Sequence, residues 1–201
     1  MSYKPAPTGH PILDLIAQRW SPRAFSARKI EPGQLCILFE AARWAASCFG
    51  EEPWSFLVAA KDDPEAFEKL GNCLNRGNAW AKQAPVLALS VAALNFARNG
   101  SPNRHAWHDV GLAMGNLSIQ ATSLGISVHQ MGGFSPEKAR ELLAIPDTHA
   151  PVAMIALGYA GDPETLAEDL RQSELAPRQR KPLIQFVFGA KWGEPARSLL
   201  G

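Results

Sequence analysis

The stretch HAWHDVGLAMGNLSIQATSL, residues 105–124, decides the fold. It is the longest helical pattern in the chain. Val110, Ala113, Met114, Leu117, Ala121 and Leu124 recur at helical spacing and form one apolar stripe. Gly111, Gly115 and Ser118 form a second face of small residues, of the kind that lets another backbone come close. Ile119 lies off the stripe, so the helix is expected to be buried on more than one side. Gly125 supplies the stop signal. Taken alone, this pattern is either a central core helix or a helix in a large subunit interface.

Outward from this helix, short apolar runs alternate with further helices. Pro85–Ala93 and Pro151–Tyr159 read as strands on its two sides, and Trp54–Ala60 as a buried strand before them. A first helix lies within Pro11–Trp20 and a second runs from about Pro32 to Ala46. Asp63-Pro64-Glu65, Ser135-Pro136-Glu137 and Asp162-Pro163-Glu164 share one signature. Each places a capping oxygen before a proline whose missing N–H costs nothing in the first turn. The helices they open are expected over 64–80, 136–144 and 163–172. Residues 173–182, SELAPRQRKP, read as an exposed connection, and Leu183–Phe188 as a final strand. The order of elements predicts a mixed α+β layer architecture, with residues 1–201 as one domain.

Composition fits a soluble globular protein: 46% of residues are hydrophobic and 19% charged. The formal net charge of +1 provides no broad attraction for nucleic acid or an acidic membrane. Cys36, Cys48 and Cys73 form no CxxC pair and no metal-ligand spacing, which points to a reducing compartment. No run reaches the length of a membrane span, and the first residues show no signal-peptide core. The cytoplasm is the expected location.

Four constellations carry polar chemistry. Arg19-Trp20-Ser21-Pro22-Arg23-Ala24-Phe25 places two guanidinium forks and a hydroxyl together after a helix. That is either a solvated helix end or half of a phosphate site. Ala45–Trp54, with Ser47 inside it, makes a loop between a helix and a strand that is able to line a ligand. Gln130-Met131-Gly132-Gly133 follows a strand and reads as a flexible turn, or as backbone brought close to a flat ligand. Arg178-Gln-Arg180-Lys181 is a compact basic patch, either solvated or the second half of the phosphate site. His105, His108 and Asp109 suggest a metal on a helix face, but nothing completes a ligand set, and capping or interface roles are preferred. No GxGxxG or P-loop occurs.

In order and spacing, these segments resemble the nitroreductase family over roughly residues 10–193. Arg19–Phe25 is similar to the family's R-x-S-x-R-x-F element, and Ala45–Trp54 to its A-P-S-x-x-N-x-Q-P-W loop. Ala46, Gly50 and Glu52 stand where that loop has Pro, Asn and Gln. Asp109–Ala121 resembles the D-x-G-x-A-x-x-N-L-x-L-x-A dimer helix, and the tail around Arg178, Arg180, Pro182-Leu183 and Trp192-Gly193 resembles the one that returns to the phosphate. The resemblance implies an α+β nitroreductase-like fold with a mixed, mainly antiparallel sheet. It further implies a homodimer with FMN at the subunit interface. It assigns Arg19, Ser21, Arg23 and Arg180, assisted by Arg178, to the phosphate end. Trp20, Ser47, Gln130, Met131, Gly132 and Gly133 complete the flavin contacts, the last three against the ring. The implied activity is ping-pong electron transfer from NADH or NADPH (NAD(P)H), through flavin N5, to a nitro, quinone or other small organic acceptor, with no side-chain general acid singled out. A flavin-binding protein with little nitroreductase turnover or with a specialised flavin reaction, and a non-flavin phospholigand-binding module, are the alternatives.

Overall fold

The computed structural model describes residues 4–200. Its centre is a four-stranded sheet of β1 (Trp54–Ala60), β2 (Val86–Ala93), β3 (Ser127–Met131) and β4 (His149–Gly158). The spatial order is β1-β2-β4-β3, and every pairing is antiparallel. β2 and β4 are the inner pair, and both are mainly apolar, broken by Ser90 in β2 and by His149 at the start of β4, because both of their faces are covered. The two-residue alternation of a strand sends Leu87, Leu89, Met154 and Ala156 to one face, and Val86, Ala88, Ile155 and Leu157 to the other. Pro151, which has no N–H for a ladder, sits where the register of β2 and β4 shifts at Ser90/Val91.

Helices cover both faces. On the first, α3 (Pro64–Cys73) and α5 (Pro136–Leu143) bring Leu70, Cys73 and Ala139 onto the core. On the second, α2 (Pro32–Arg43) and α4 (Ala106–Ser123) bring Leu38, Ala42, Met114 and Leu117. A short α1 (Asp14–Gln18) precedes them; α6 (Glu168–Leu175) and the terminal turn α7 (Arg197–Leu200) come after. The expected stripe of α4 is buried from Val110 to Ala121. Its small-residue face is split: Gly111 and Gly115 are exposed, whereas Ser118 is buried and donates its hydroxyl to the Met114 carbonyl at 2.7 Å. Gly125 turns the chain with φ of 69°.

Three expectations are corrected. The helix opened by Pro64 ends at Cys73, because Leu74 turns extended and bridges Phe134; residues 76–83 then form a 3₁₀ stretch. Asp162 caps as expected, accepting the Glu164 N–H at 3.0 Å, but only a 3₁₀ turn over Pro163–Thr165 results. The helix proper, α6, starts at Glu168. Leu183–Phe188 is not a strand. Its backbone makes local turn bonds, Gln185 N–H to Pro182 at 3.0 Å and Val187 N–H to Leu183 at 2.8 Å. Only its end finds a partner, in the isolated bridge of Phe188 with Pro195, so the polar groups before it are satisfied by local bonds instead. Among the described residues no helix is long and apolar enough to cross a membrane.

Candidate functional site

The end of α1 delivers the chain into the arginine loop, residues 19–25. The Arg19 N–H closes α1 on the Leu15 carbonyl at 3.0 Å. Beyond it the loop is sewn to the end of β4: Gly161 N–H donates to Ala24 at 2.8 Å, Ser26 N–H donates to Tyr159 at 2.9 Å, and Phe25 bridges Ala160. Phe25 stacks on Trp80 with centroids 6.5 Å apart, and Trp80 meets the His129 ring at 4.7 Å. His129 Nδ1 lies 2.8 Å from the Pro22 carbonyl. An aromatic layer thus supports the loop from beneath.

On this support the structure gathers Arg19, Ser21, Arg23, Arg178 and Arg180. Arg19 donates to the Ser21 hydroxyl at 3.1 Å, so the two sequence-expected groups form one unit. Burial, then repulsion from Arg178 and Arg180, lowers the proton affinity of the Arg19 guanidinium. Arg178 is lowered by burial and by Arg180. Such a cluster of like charges, held close in a partly dry site, is matched by an anion. Among the described residues Arg19 has no carboxylate partner. Arg180 is exposed and donates to its neighbour's carbonyl, that of Gln179, at 2.8 Å.

The other two arginines are differently engaged. Arg23 lies 3.8 Å from Glu174, a carboxylate with 2% of its side chain exposed. Arg178 directs its fork into main-chain carbonyls: Ala17 at 2.8 Å, Arg19 at 2.8 Å and Lys4 at 2.9 Å. Trp20 is half-buried under the Lys4 ammonium, 5.2 Å from the ring centroid.

At the end of β3, Gln130 is exposed and Met131 is a core residue, so the Met131 side chain faces away from any surface ligand. Gly132 is exposed, and an added Cβ would meet nothing within 4 Å. Gly133 is tightly held. Its carbonyl accepts from Asn75 N at 3.1 Å and Asn78 Nδ2 at 2.9 Å, and a Cβ there would stand 2.5 Å from Asn78.

The loop carrying Ser47 is built separately, against the start of α4. Asp109, itself buried, accepts the Cys48 N–H at 2.9 Å and faces His108 Nδ1 at 3.0 Å. The Ser47 hydroxyl accepts the Glu52 N–H at 3.0 Å, and the Glu51 carboxylate accepts the Ala97 N–H. These bonds hold Phe49, Gly50 and Glu52 at positive φ of 57°, 67° and 49°. Left-handed conformations in non-glycine residues cost about 1–2 kcal/mol each and persist only where neighbours enforce them. The loop's hydrogen bonds run to α4 and to the turn after β2, and none reaches the arginine cluster. Glu51 is partnered and Glu52 solvated, so neither carboxylate is left buried and unmatched. Among the described residues no group of His, Cys, Asp or Glu has metal-binding geometry, and Asp109 serves the loop instead.

Two groups at the cradle escape a reading of the sequence. Trp80 looks like one more core aromatic. Glu174 lies in a polar stretch that reads as solvated; its one signal is the four-residue spacing from Leu170, which puts both on the same side of α6.

Comparison with known proteins places the chain among relatives of the same fold. A crystal structure described as that of an oxidoreductase containing FMN superposes with a TM-score of 0.88 at 32% identity, covering 94% of this chain and 96% of that one. An uncharacterised 15.4 kDa protein of Mycolicibacterium smegmatis is 36% identical over 131 residues, 65% of this chain and 87% of its own length. An NADH dehydrogenase of Thermus thermophilus is 26% identical over 89% of this chain and 97% of its own length. The family description "Nitroreductase family" matches residues 16–159, from α1 through the arginine loop and the whole sheet. The chain belongs to the nitroreductase family.

Proposed function

We propose that this protein is an FMN-dependent oxidoreductase that takes electrons from NAD(P)H and passes them to a small organic acceptor. The observation that carries the reading is the Arg19–Ser21 unit beside Arg180, a cationic site without a carboxylate of its own, on a chain 32% identical to an FMN-containing oxidoreductase. A phosphate monoester fits it: guanidinium forks and a hydroxyl are the donors such a dianion takes up. Gly132 fits a flat ring, because the surface there is open where any other residue would carry a side chain.

Arg19, Ser21 and Arg180 hold the phosphate, and Arg23 adds a charge already partly answered by Glu174. Arg178 supports the loop more than the ligand. Bound FMN supplies hydride acceptance from the nicotinamide and electron release to the second substrate, in turn, at one site. The protein's part is orientation and field: the cradle fixes one end of the cofactor, and the Gly132–Gly133 turn keeps the approach to the other end free of side chains. The strained Ser47 loop and the arginine cluster do not meet within one chain, and a homodimer brings them to one flavin. Exposed Trp107 and Leu112 on α4, Ile37 on α2 and Trp44 just past its end provide the apolar surface for it. Turnover is ping-pong, because both substrates need the same open face.

The test is titration of the protein with FMN, followed by flavin absorbance and fluorescence, for wild type and for Arg19→Ala combined with Arg180→Ala. Each lost charge-assisted contact costs about 1.5–3 kcal/mol, so the double variant is expected to bind FMN at least about a hundredfold more weakly. Unchanged flavin retention in it contradicts the shared phosphate site. No spectral change with wild type sinks the flavin reading.

A further inference from the structure

Glu174 and Arg178 lie four residues apart, at the end of α6 and just beyond it, and they grip the main chain of the arginine loop by both polarities. The Glu174 carboxylate accepts the Arg23 N–H at 2.9 and 3.0 Å and the Ala24 N–H at 3.2 Å. Arg178 donates to the carbonyls of Ala17 and Arg19, and to that of Lys4. Lys4 in turn donates to the Glu174 carbonyl, closing the arrangement.

We propose that Glu174 and Arg178 are positioning residues that form the phosphate cradle before any ligand arrives. Arg178 acts through main-chain carbonyls and not by touching the phosphate. The inference rests on the FMN reading above and adds what holds that site in shape.

The physical need is clear in the charges. Lys4 and Arg23 face the buried Glu174 carboxylate, whereas Arg19, Arg178 and Arg180 lie close to one another with no carboxylate between them among the described residues. Until an anion binds, the arginines repel one another and favour a splayed loop. Fixing the main chain at residues 17, 19, 23 and 24 opposes that splaying. The ordering cost is then met in folding and not in binding, which tightens binding without any new ligand contact. Glu174 is suited to this because both of its oxygens point at N–H groups, so its charge is satisfied by the loop. Arg178 is suited because a planar fork spans several carbonyls at once, which a lysine ammonium on a flexible stem does not do.

The experiment compares dissociation constants for FMN and riboflavin, which differ by the phosphate alone, in the wild type, Glu174→Gln and Arg178→Lys. Arg171→Ala, which removes surface ion pairs with Glu168 on the same helix and with Glu164 in the turn before it, serves as the control. The FMN-to-riboflavin preference is expected to fall about tenfold in Glu174→Gln and in Arg178→Lys, with riboflavin binding little changed and the control unaffected. A direct phosphate contact by Arg178 predicts instead that lysine preserves the preference, and that result overturns the positioning role of Arg178. A preference unchanged in both variants overturns the whole inference. Amide hydrogen exchange on flavin-free wild type provides the second measurement and stands even where a variant does not fold. Arg23 and Ala24 are expected to be protected without flavin, and free exchange that slows only on adding FMN overturns preformation. A wild type that does not distinguish FMN from riboflavin overturns the phosphate reading itself, whatever the exchange shows.

Discussion

His129 shows how one side chain reports on the cradle above it. Burial lowers its proton affinity most; the nearby Arg23 and Arg19 lower it further, and the carbonyls of Pro22 and Ser21 only partly offset this. It is therefore neutral at pH 7, with Nδ1–H donated to Pro22. Unfolded histidine binds a proton near pH 6.5, and the folded one only at lower pH. Between those two values the unfolded state holds more protons, so stability falls as pH drops from about 6.5 through the native value. Denaturant midpoints measured from pH 8 to 5 are expected to show this decline in the wild type and to lose it in His129→Asn. A decline of equal size in the variant would assign it to other groups. At this scale, the sequence makes Arg19 and Ser21 legible because their chemistry is local. Glu174 is not legible, because its role is defined by N–H groups 150 residues upstream. The same limit applies to Arg178: residue type announces a cation, but only the fold shows that its fork is spent on carbonyls.

Elements reach the cradle through close backbone contacts, and Gly161 makes the tightest approach to other main-chain atoms. A Cβ there would stand 2.6 Å from the carbonyl carbon of Phe25, 2.8 Å from its oxygen and 2.9 Å from Ser26 N. All three are backbone atoms that yield only if the arginine loop moves. Gly161→Ala is expected to cost about 1–3 kcal/mol of stability, seen as a lowered melting temperature, together with weaker FMN binding. An unaltered melting temperature would show that the loop is softer than its hydrogen bonds imply. Strands β1, β2 and β4 are legible to within two residues because long apolar runs bounded by prolines have few other uses. The capping signals at Asp63, Ser135 and Asp162 all hold as caps, since a cap depends on three or four residues. How far a helix runs beyond its cap is decided by packing further along the chain. The helix after Asp63 therefore ends early, at Cys73, and Asp162 opens only a single turn. The stretch 183–188 fails as a strand for a related reason: a β pattern that meets a neighbour only at Phe188, in one bridge to Pro195, is not enough to make a ladder.

At the scale of the whole molecule, α4 carries an apparent waste. Gly111 and Gly115 lie on its exposed side with nothing within 4 Å of where a Cβ would be, flanked by exposed Trp107 and Leu112. A glycine inside a helix costs about 1 kcal/mol relative to alanine, so an isolated chain would gain by replacing both. The proposed homodimer would account for them by packing a second α4 across this face, because small residues allow the close approach. Gly115→Leu is expected to halve the mass in solution while leaving the helix content equal or higher. A wild type that is already monomeric, or a variant that stays dimeric, places the interface elsewhere. The tie between the arginine loop and the tail has a different consequence, for synthesis. The loop leaves the ribosome early and its clamp leaves late, separated by 151 residues at the Arg23–Glu174 bond. A nascent chain that has finished its sheet still lacks the groups that shape the cradle, so cofactor capture becomes a late event, timed by release of the C-terminal segment.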